Sequence, residues 1–208
     1  MRDYLLEKAG AFLRQYQDEN QPLLERLFQE GQEPQVLFIT CADSRIMPEK
    51  MLGLNPGDYF VVRNVANIVP PYEYHEPSVT AALEFALFSL QVTDIVVCGH
   101  TDCGGLRALE QGLEDARFSA LAQWLNLAHS SAEGNEAEKQ KLSERQKHLA
   151  TVEKHVVQQL ANLRSYPFVS NGINDHNLTL HGWVHDLEGS TIRFNDGGGG
   201  PFSLFEVK

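Results

Sequence analysis

Apolar residues along this chain fall into two patterns. Leu5, Leu6, Ala9, Phe12, Leu13 and Tyr16 recur at helical spacing, which predicts an amphipathic N-terminal helix. A second, short helix is predicted over PLLERLFQEG, with Pro22 in its first turn and Gly31 at its end. The other pattern is a set of short unbroken apolar runs. These are VLFIT at 36–40, YFVVRN at 59–64 after the turn NPGD, and DIVVCG at 94–99. Such runs, without alternation, suit strands of a parallel sheet covered on both faces.

Between the runs, SVTAALEFALFSL (78–90) predicts a nearly all-buried helix capped by Ser78. Another helix begins near residue 104, and 114–128 continues helically through Phe118, Leu121, Trp124 and Leu125. The charged stretch 131–155 reads as a solvated connection and helix face. VVQQLANLRSYP is helical as far as Pro167, and LTLHGWVHD and STIRFND, joined by LEGS, read as a hairpin. This order predicts an α/β fold. It has a mostly parallel central sheet of four strands plus a C-terminal antiparallel edge strand, with helices on both faces. No linker divides the chain, so one domain is expected: a helical arm over 1–31, an α/β core over 32–196 and a tail over 197–208 that leaves through a flexible GGGG run.

The 208 residues carry a net charge of −11 at a pI near 5.1. An acidic surface repels nucleic acid and anionic membranes, so neither is an expected partner. No segment is apolar and long enough to span a bilayer. The start of the chain lacks an apolar signal core and carries acids, which argues against a targeting peptide. Three cysteines do not make a disulfide framework. They point to metal binding or catalysis in a reducing compartment, with the cytoplasm as the default.

Two of those cysteines stand just beyond the carboxyl ends of apolar runs: Cys41 in CADSR, and Cys103 in CGHTDCGG with His100. In an open parallel sheet that edge is where crevices form. If the first and third strands are neighbours, Cys41, His100 and Cys103 converge on one another. Two thiolates and an imidazole suit Zn²⁺, and three protein ligands leave the fourth position of a catalytic site open. Gly104 and Gly105 would let backbone approach closely there. Asp43 and Arg45 read as an ion pair that keeps Asp43 ionised as a hydrogen-bond acceptor beside the metal. Cys98, in mid-strand, reads as an inert buried thiol. Arg63 and Asn64 suit a structural or a site role equally. His75, His129, His181 and His185 show no ligand spacing.

With CADSR, PGDYFVVRNVANIVPP, SVTAALEFAL, VCGHTDCGG and LHGWVHD in that order, the chain resembles a β-class carbonic anhydrase over roughly residues 1–196. The resemblance implies Cys41, His100 and Cys103 as ligands of one Zn²⁺ per chain. It implies Asp43 and Arg45 as the catalytic dyad. The implied reaction is reversible hydration of CO₂ to bicarbonate and a proton by zinc-hydroxide attack. Gln32, Phe60 and Val65 match the pocket of the plant-type subclass, which includes bacterial enzymes. Phe85 stands where that subclass has a Tyr, and Gly104 completes the expected substrate contacts. Phe38 replaces the Trp that the other subclass carries near an inhibitory bicarbonate site, so that site is not expected. Gln32 would come from a partner subunit, in a homodimer or a higher homo-oligomer such as a tetramer or octamer. The alternatives are a carbon disulfide or carbonyl sulfide hydrolase on the same scaffold, a non-catalytic zinc or bicarbonate-binding module, and a thiol-redox protein.

Overall fold

A computed structural model of the chain describes residues 2–112, 116–128, 142–197 and 200–206. Each apolar run forms a strand. β1 (Val36–Cys41) lies between β2 (Tyr59–Asn64) and β3 (Asp94–His100), and β4 (Thr179–Asp186) follows β3; all four are parallel. β5 (Thr191–Asn195) returns antiparallel on β4, as the LEGS turn predicts. A short β6 (Ser203–Leu204) pairs with β5, so the expected tail adds a further strand. The glycine run is also less free than expected at its start, because the Gly197 N–H donates to Asn195 Oδ1 at 2.8 Å. Residues 198–199 lie outside the described residues. The central strands β1 and β3 are almost wholly buried, whereas β2, at the sheet edge, is only half-buried.

The two faces of the sheet are covered unequally. The larger core joins Leu37, Ile39, Ile95 and Val97 to apolar residues from the helices that pack on that face. The main contributor is α6 (Glu144–Ser165), which presents Val152, Val156, Leu160 and Leu163. It can lie close because Gly99 has no side chain: a Cβ there would stand 2.9 Å from Val156 Cγ2. The reverse face carries a smaller cluster of Phe38, Val96 and Cys98. It is capped by Trp183 and by Met51 and Leu52 of α2 (Pro48–Leu52).

Several helix boundaries differ from the pattern. The two predicted N-terminal helices are one, α1 (Arg2–Glu30), with Pro22 inside it. Pro22 cannot bond the carbonyl of Asp18, but Asp18 is exposed, so water can satisfy that group. α3 (Pro77–Glu84) is capped by Glu76 rather than Ser78: its carboxylate accepts from Ser78 N at 3.0 Å and Val79 N at 2.8 Å. A carboxylate answers the positive end of the helix better than a hydroxyl. The last turn, Phe85–Ser89, widens into a π-helix, and Phe85 and Phe88 are exposed rather than buried.

α4 (Gly104–Gln111) starts where predicted. Of the helix expected over 114–128, residues 114–115 lie outside the described residues. The rest forms a 3₁₀ turn at Ala116–Phe118 and α5 (Ser119–Asn126). Within the charged stretch, residues 131–141 and His129 lie outside the described residues. From Ser143 onward it is the first half of α6, which buries His148, Thr151, Val152 and His155. A reciprocal capping box between Ser143 and Gln146 starts that helix. α7 (Pro167–Asn174) follows at Pro167.

Candidate metal centre

Chain order runs from β1 outward to β2 and then back across to β3, so direction reverses between the carboxyl ends of β1 and β3. Loops leaving those two ends diverge and open a crevice. Cys41 is the last residue of β1, His100 the last of β3, and Cys103 the residue that leads into α4. All three are buried, and their ligand atoms lie within 4.8 Å of one another.

The donor set passes a direct test of fit for zinc. Two sulfurs at about 2.3 Å from one tetrahedral Zn²⁺ stand ~3.8 Å apart, and Cys41 Sγ and Cys103 Sγ are 4.0 Å apart. His100 Nδ1 is 2.9 Å from the Thr101 carbonyl, which accepts its proton and fixes the tautomer. His100 Nε2 is then a bare lone pair, buried and without a hydrogen-bond partner. Such an orphan is costly unless something electrophilic sits against it. Thiolate and imidazole together select zinc over the hard cations magnesium and calcium.

Electrostatics around the sulfurs agrees. The Cys103 thiol beside Cys41 holds the Cys41 sulfur well below the ordinary thiol range, with further help from His100 and from the Asp43 and Ala66 N–H groups. Cys103 is pushed up in turn by Cys41 and by burial. Two buried thiols that share one proton are a site awaiting a cation. Cys98 behaves differently: burial pushes its thiol up to about 12, and it packs on the reverse face of the sheet.

Asp43 and Arg45 form the expected pair, and closely. Asp43 Oδ1 accepts from Arg45 N and Nε, both at 2.9 Å, and Asp43 Oδ2 accepts from Arg45 Nη2 at 2.7 Å. The guanidinium holds the Asp43 carboxyl far below the usual carboxylate range. Asp43 Oδ2 is 3.9 Å from His100 Nε2, so the carboxylate borders the triad while remaining bound to Arg45. Arg63 takes the structural role. It donates to the carbonyls of Cys41 (3.2 Å), Asp43 (2.9 Å) and Ile46 (3.0 Å), pinning the loop that carries the dyad. Asn64 closes a turn through Ile68 N and O.

Asp102 was not singled out by the pattern. Its carboxylate accepts from Arg45 Nη1 at 2.8 Å and from Arg107 Nε at 2.7 Å, extending the dyad into a four-member chain of charges. The one signal was local: an Asp beside the ligand in HTDCGG, at a position with φ +59 that Asp tolerates better than most residues.

The pocket residues divide. Val65 sits at the triad, because Gly105 packs directly on it: a Cβ at Gly105 would meet Ala66 Cβ at 3.0 Å and Val65 Cγ1 at 3.1 Å. Gly105 is the close approach; a Cβ at Gly104 would meet nothing within 4 Å. Phe60 and Phe85 pack on each other, ring centroids 5.7 Å apart, but Phe60 pairs in register with Leu37, near the amino end of β1. Gln32 is exposed and precedes that same end. β1 itself separates that end from Cys41 by ~16 Å of extended chain. Gln32, Phe60 and Phe85 are therefore not gathered at the triad of their own chain.

A parallel sheet that holds a buried Cys₂His centre at its switch point defines the chain as a metal-dependent α/β enzyme. A family profile described as carbonic anhydrase matches residues 36–192. A carbonic anhydrase of Pseudomonas aeruginosa is 40% identical over 200 residues, covering 95% of this chain and 88% of the relative. Carbonic anhydrase 1 of Escherichia coli O157:H7 is 39% identical, covering 92% and 88%. Among solved structures, the β-carbonic anhydrase CcaA superposes with a TM-score of 0.90 at 30% identity, covering 100% of this chain and 93% of that one. One of two tetrameric β-carbonic anhydrases of Sordaria macrospora gives a TM-score of 0.82 at 30% identity, covering 97% and 98%. The chain belongs to the carbonic anhydrase family, in its β class.

Proposed function

We propose that this protein catalyses the reversible hydration of CO₂ to bicarbonate and a proton, with Cys41, His100 and Cys103 holding one zinc ion. The observation that carries the reading is the buried triad with the Asp43–Arg45 pair on its border. Zinc, when bound, supplies Lewis acidity that makes water a nucleophile near neutral pH. Asp43 does the orienting. Arg45 fills both acceptor directions of Oδ1 through its N and Nε but only one of Oδ2, which leaves an Oδ2 lone pair to accept a hydrogen bond from the attacking water. Because Arg45 keeps Asp43 ionised, that acceptor persists throughout the working pH range.

CO₂ has no charge, so an apolar lining holds it without competing for the water. Val65 supplies that lining from the same chain. Gln32, Phe60 and Phe85 supply the far wall from a second copy, which explains why they cluster away from their own triad. The Gln32 amide would donate to a CO₂ oxygen. Phe85 in place of a tyrosine removes a hydroxyl from that wall.

A homo-oligomer, at minimum a dimer, follows from the same residues. α1 exposes Leu5, Leu6, Phe12 and Leu13 by 60% or more and Phe28 by 92%, and a lone chain would leave that surface wet. The Sordaria macrospora relatives are described as tetrameric. Among the described residues no helix is long and apolar enough to cross a membrane. Three free buried cysteines suit a reducing compartment, which supports a cytoplasmic location. The test is zinc analysis with stopped-flow CO₂ hydration on wild type and Asp43→Ala. We expect about one zinc per chain in both, and activity at least ~100-fold lower in the variant. Zinc without hydration in the wild type would favour a binding module, and hydrolysis of carbon disulfide or carbonyl sulfide in its place would favour the rival enzyme.

A further inference from the structure

We infer that Asp102 is a positioning residue: acting through Arg45, it holds the Asp43 carboxylate in a fixed direction relative to the three metal ligands. The inference rests on the carbonic anhydrase reading. There Asp43 orients the attacking water, and a small misplacement of such a group slows the reaction severely.

Asp43 and Arg45 do not fix that direction by themselves. They stand two residues apart in one loop, and their hydrogen bonds close a local ring. The Arg45 side chain is half-exposed and turns about several single bonds. A pair tied only to itself can tilt as a unit. Asp102 supplies the outside reference. Its Oδ2 accepts from Arg45 Nη1 at 2.8 Å, and its backbone carbonyl accepts from Arg45 Nη2 at 3.0 Å. The Nε–Nη2 edge of the guanidinium therefore grips Asp43, while the Nη1–Nη2 edge grips Asp102. Asp102 lies between His100 and Cys103, in the loop that carries two of the ligands. Arg45 follows Cys41, the third ligand, in the loop after β1. The bridge thus joins both ligand loops and refers the carboxylate to all three ligands.

Asp102 is itself held. Arg107 of α4 donates to its Oδ1 through Nε at 2.7 Å, and Arg107 Nη2 is also 2.7 Å from that oxygen. With each carboxylate oxygen engaged by a different guanidinium, the side chain cannot rotate without losing one of them. Arg45, Asp102 and Arg107 are all about half-exposed, and exposed ion pairs add little to stability. What this arrangement supplies is direction, because a planar fork gripped along two edges has its plane fixed. The backbone argues the same way. Asp102 sits at φ +59, where glycine would be more at ease, so the carboxylate is what the position gains from an aspartate.

Glycine is also the test. Asp102→Gly relaxes the backbone and removes only the side chain. We expect zinc content and Tm at or above those of wild type, with kcat/KM for CO₂ lower by about tenfold and KM little changed. Asp102→Asn offers one carbonyl oxygen to two guanidiniums, so its amide must face one of them and activity should fall. Adding Arg107→Gln frees that oxygen for Arg45 and should recover most of the loss, which a merely structural role would not produce. Arginine ¹⁵N spectra read the bridge without turnover. Arg45 Nη1 and Nη2 should give separate signals in wild type and exchange faster in Asp102→Gly. Full kcat/KM in zinc-loaded Asp102→Gly, a loss of zinc or Tm that accounts for the lost activity, no recovery on adding Arg107→Gln, or equal Arg45 exchange in both proteins would each overturn the positioning role. A wild type that hydrates no CO₂ while its Arg45 signals stay separate would instead sink the carbonic anhydrase reading and leave the bridge intact.

Discussion

Adjacent glycines at the start of α4 make opposite demands, and exchanging each for alanine separates them. At Gly105 an added Cβ meets Ala66 Cβ at 3.0 Å and Val65 Cγ1 at 3.1 Å, both tighter than ordinary contact. The obstructing turn cannot retreat. The Ala66 carbonyl is 2.7 Å from His155 Nε2, the Val65 carbonyl accepts from Trp124 Nε1 at 2.8 Å, and Ala66 already sits at φ +63. Overpacking of this kind costs about 1–3 kcal/mol, against up to ~1 kcal/mol gained from alanine in a helix. Gly105→Ala should therefore lose about 1–2 kcal/mol, a fall of roughly 5 °C in Tm for a chain of this size. Gly104→Ala has open space and should unfold at the wild-type temperature or slightly above. The Ala66 N–H also faces the Cys41 sulfur, so the displaced turn should weaken zinc binding by about tenfold or more. Calorimetry at fixed protein concentration and competition against a zinc chelator read both effects. Equal Tm values for the two variants would refute the claim that the Val65–Ala66 turn is clamped on Gly105.

Mixing tests the division of the pocket. His100→Ala chains lack a ligand, and chains carrying Phe60→Ser with Phe85→Ser lack the far wall. Refolded together, they should regain CO₂ hydration above the sum of the parts, because one site in each mixed dimer is complete; a merely additive result would return all pocket residues to a single chain. Acid should also loosen the fold. Burial lowers His155 to about 4 from 6.5, so between those values the unfolded chain binds a proton that the folded chain refuses. Stability should fall as pH drops through that window, by on the order of 3 kcal/mol. Urea midpoints at pH 7 and pH 4.5 should differ less for His155→Gln than for wild type, and an equal difference would remove His155 as the cause.

Much of the centre was legible because rare residue types stood in telling places. Cysteines and a histidine just past unbroken apolar runs announce ligands at strand ends, and the runs themselves are strands because both faces of β1 and β3 are buried. Other features left weaker marks. Pro22 breaks most helices, but solvent around α1 removes the penalty that the rule assumes. The first half of α6 looked like a solvated stretch because, apart from Val152, what it buries is polar: His148, Thr151 and His155. The capping box at Ser143 was the available signal there. Asp102 gained its place through Arg45 and Arg107, which lie elsewhere in the chain and whose geometry no spacing rule predicts. The split of Gln32, Phe60 and Phe85 from Val65 is, under the proposed dimer, a property of assembly, which a single sequence does not encode as a local pattern.

The account stands on one coordination sphere, and X-ray absorption at the zinc edge of the purified protein reads it directly. It predicts two sulfurs near 2.3 Å and one imidazole nitrogen near 2.0 Å, with one sulfur lost in Cys41→Ser. A spectrum dominated by oxygen donors, or a purified active protein that holds no zinc, would contradict it.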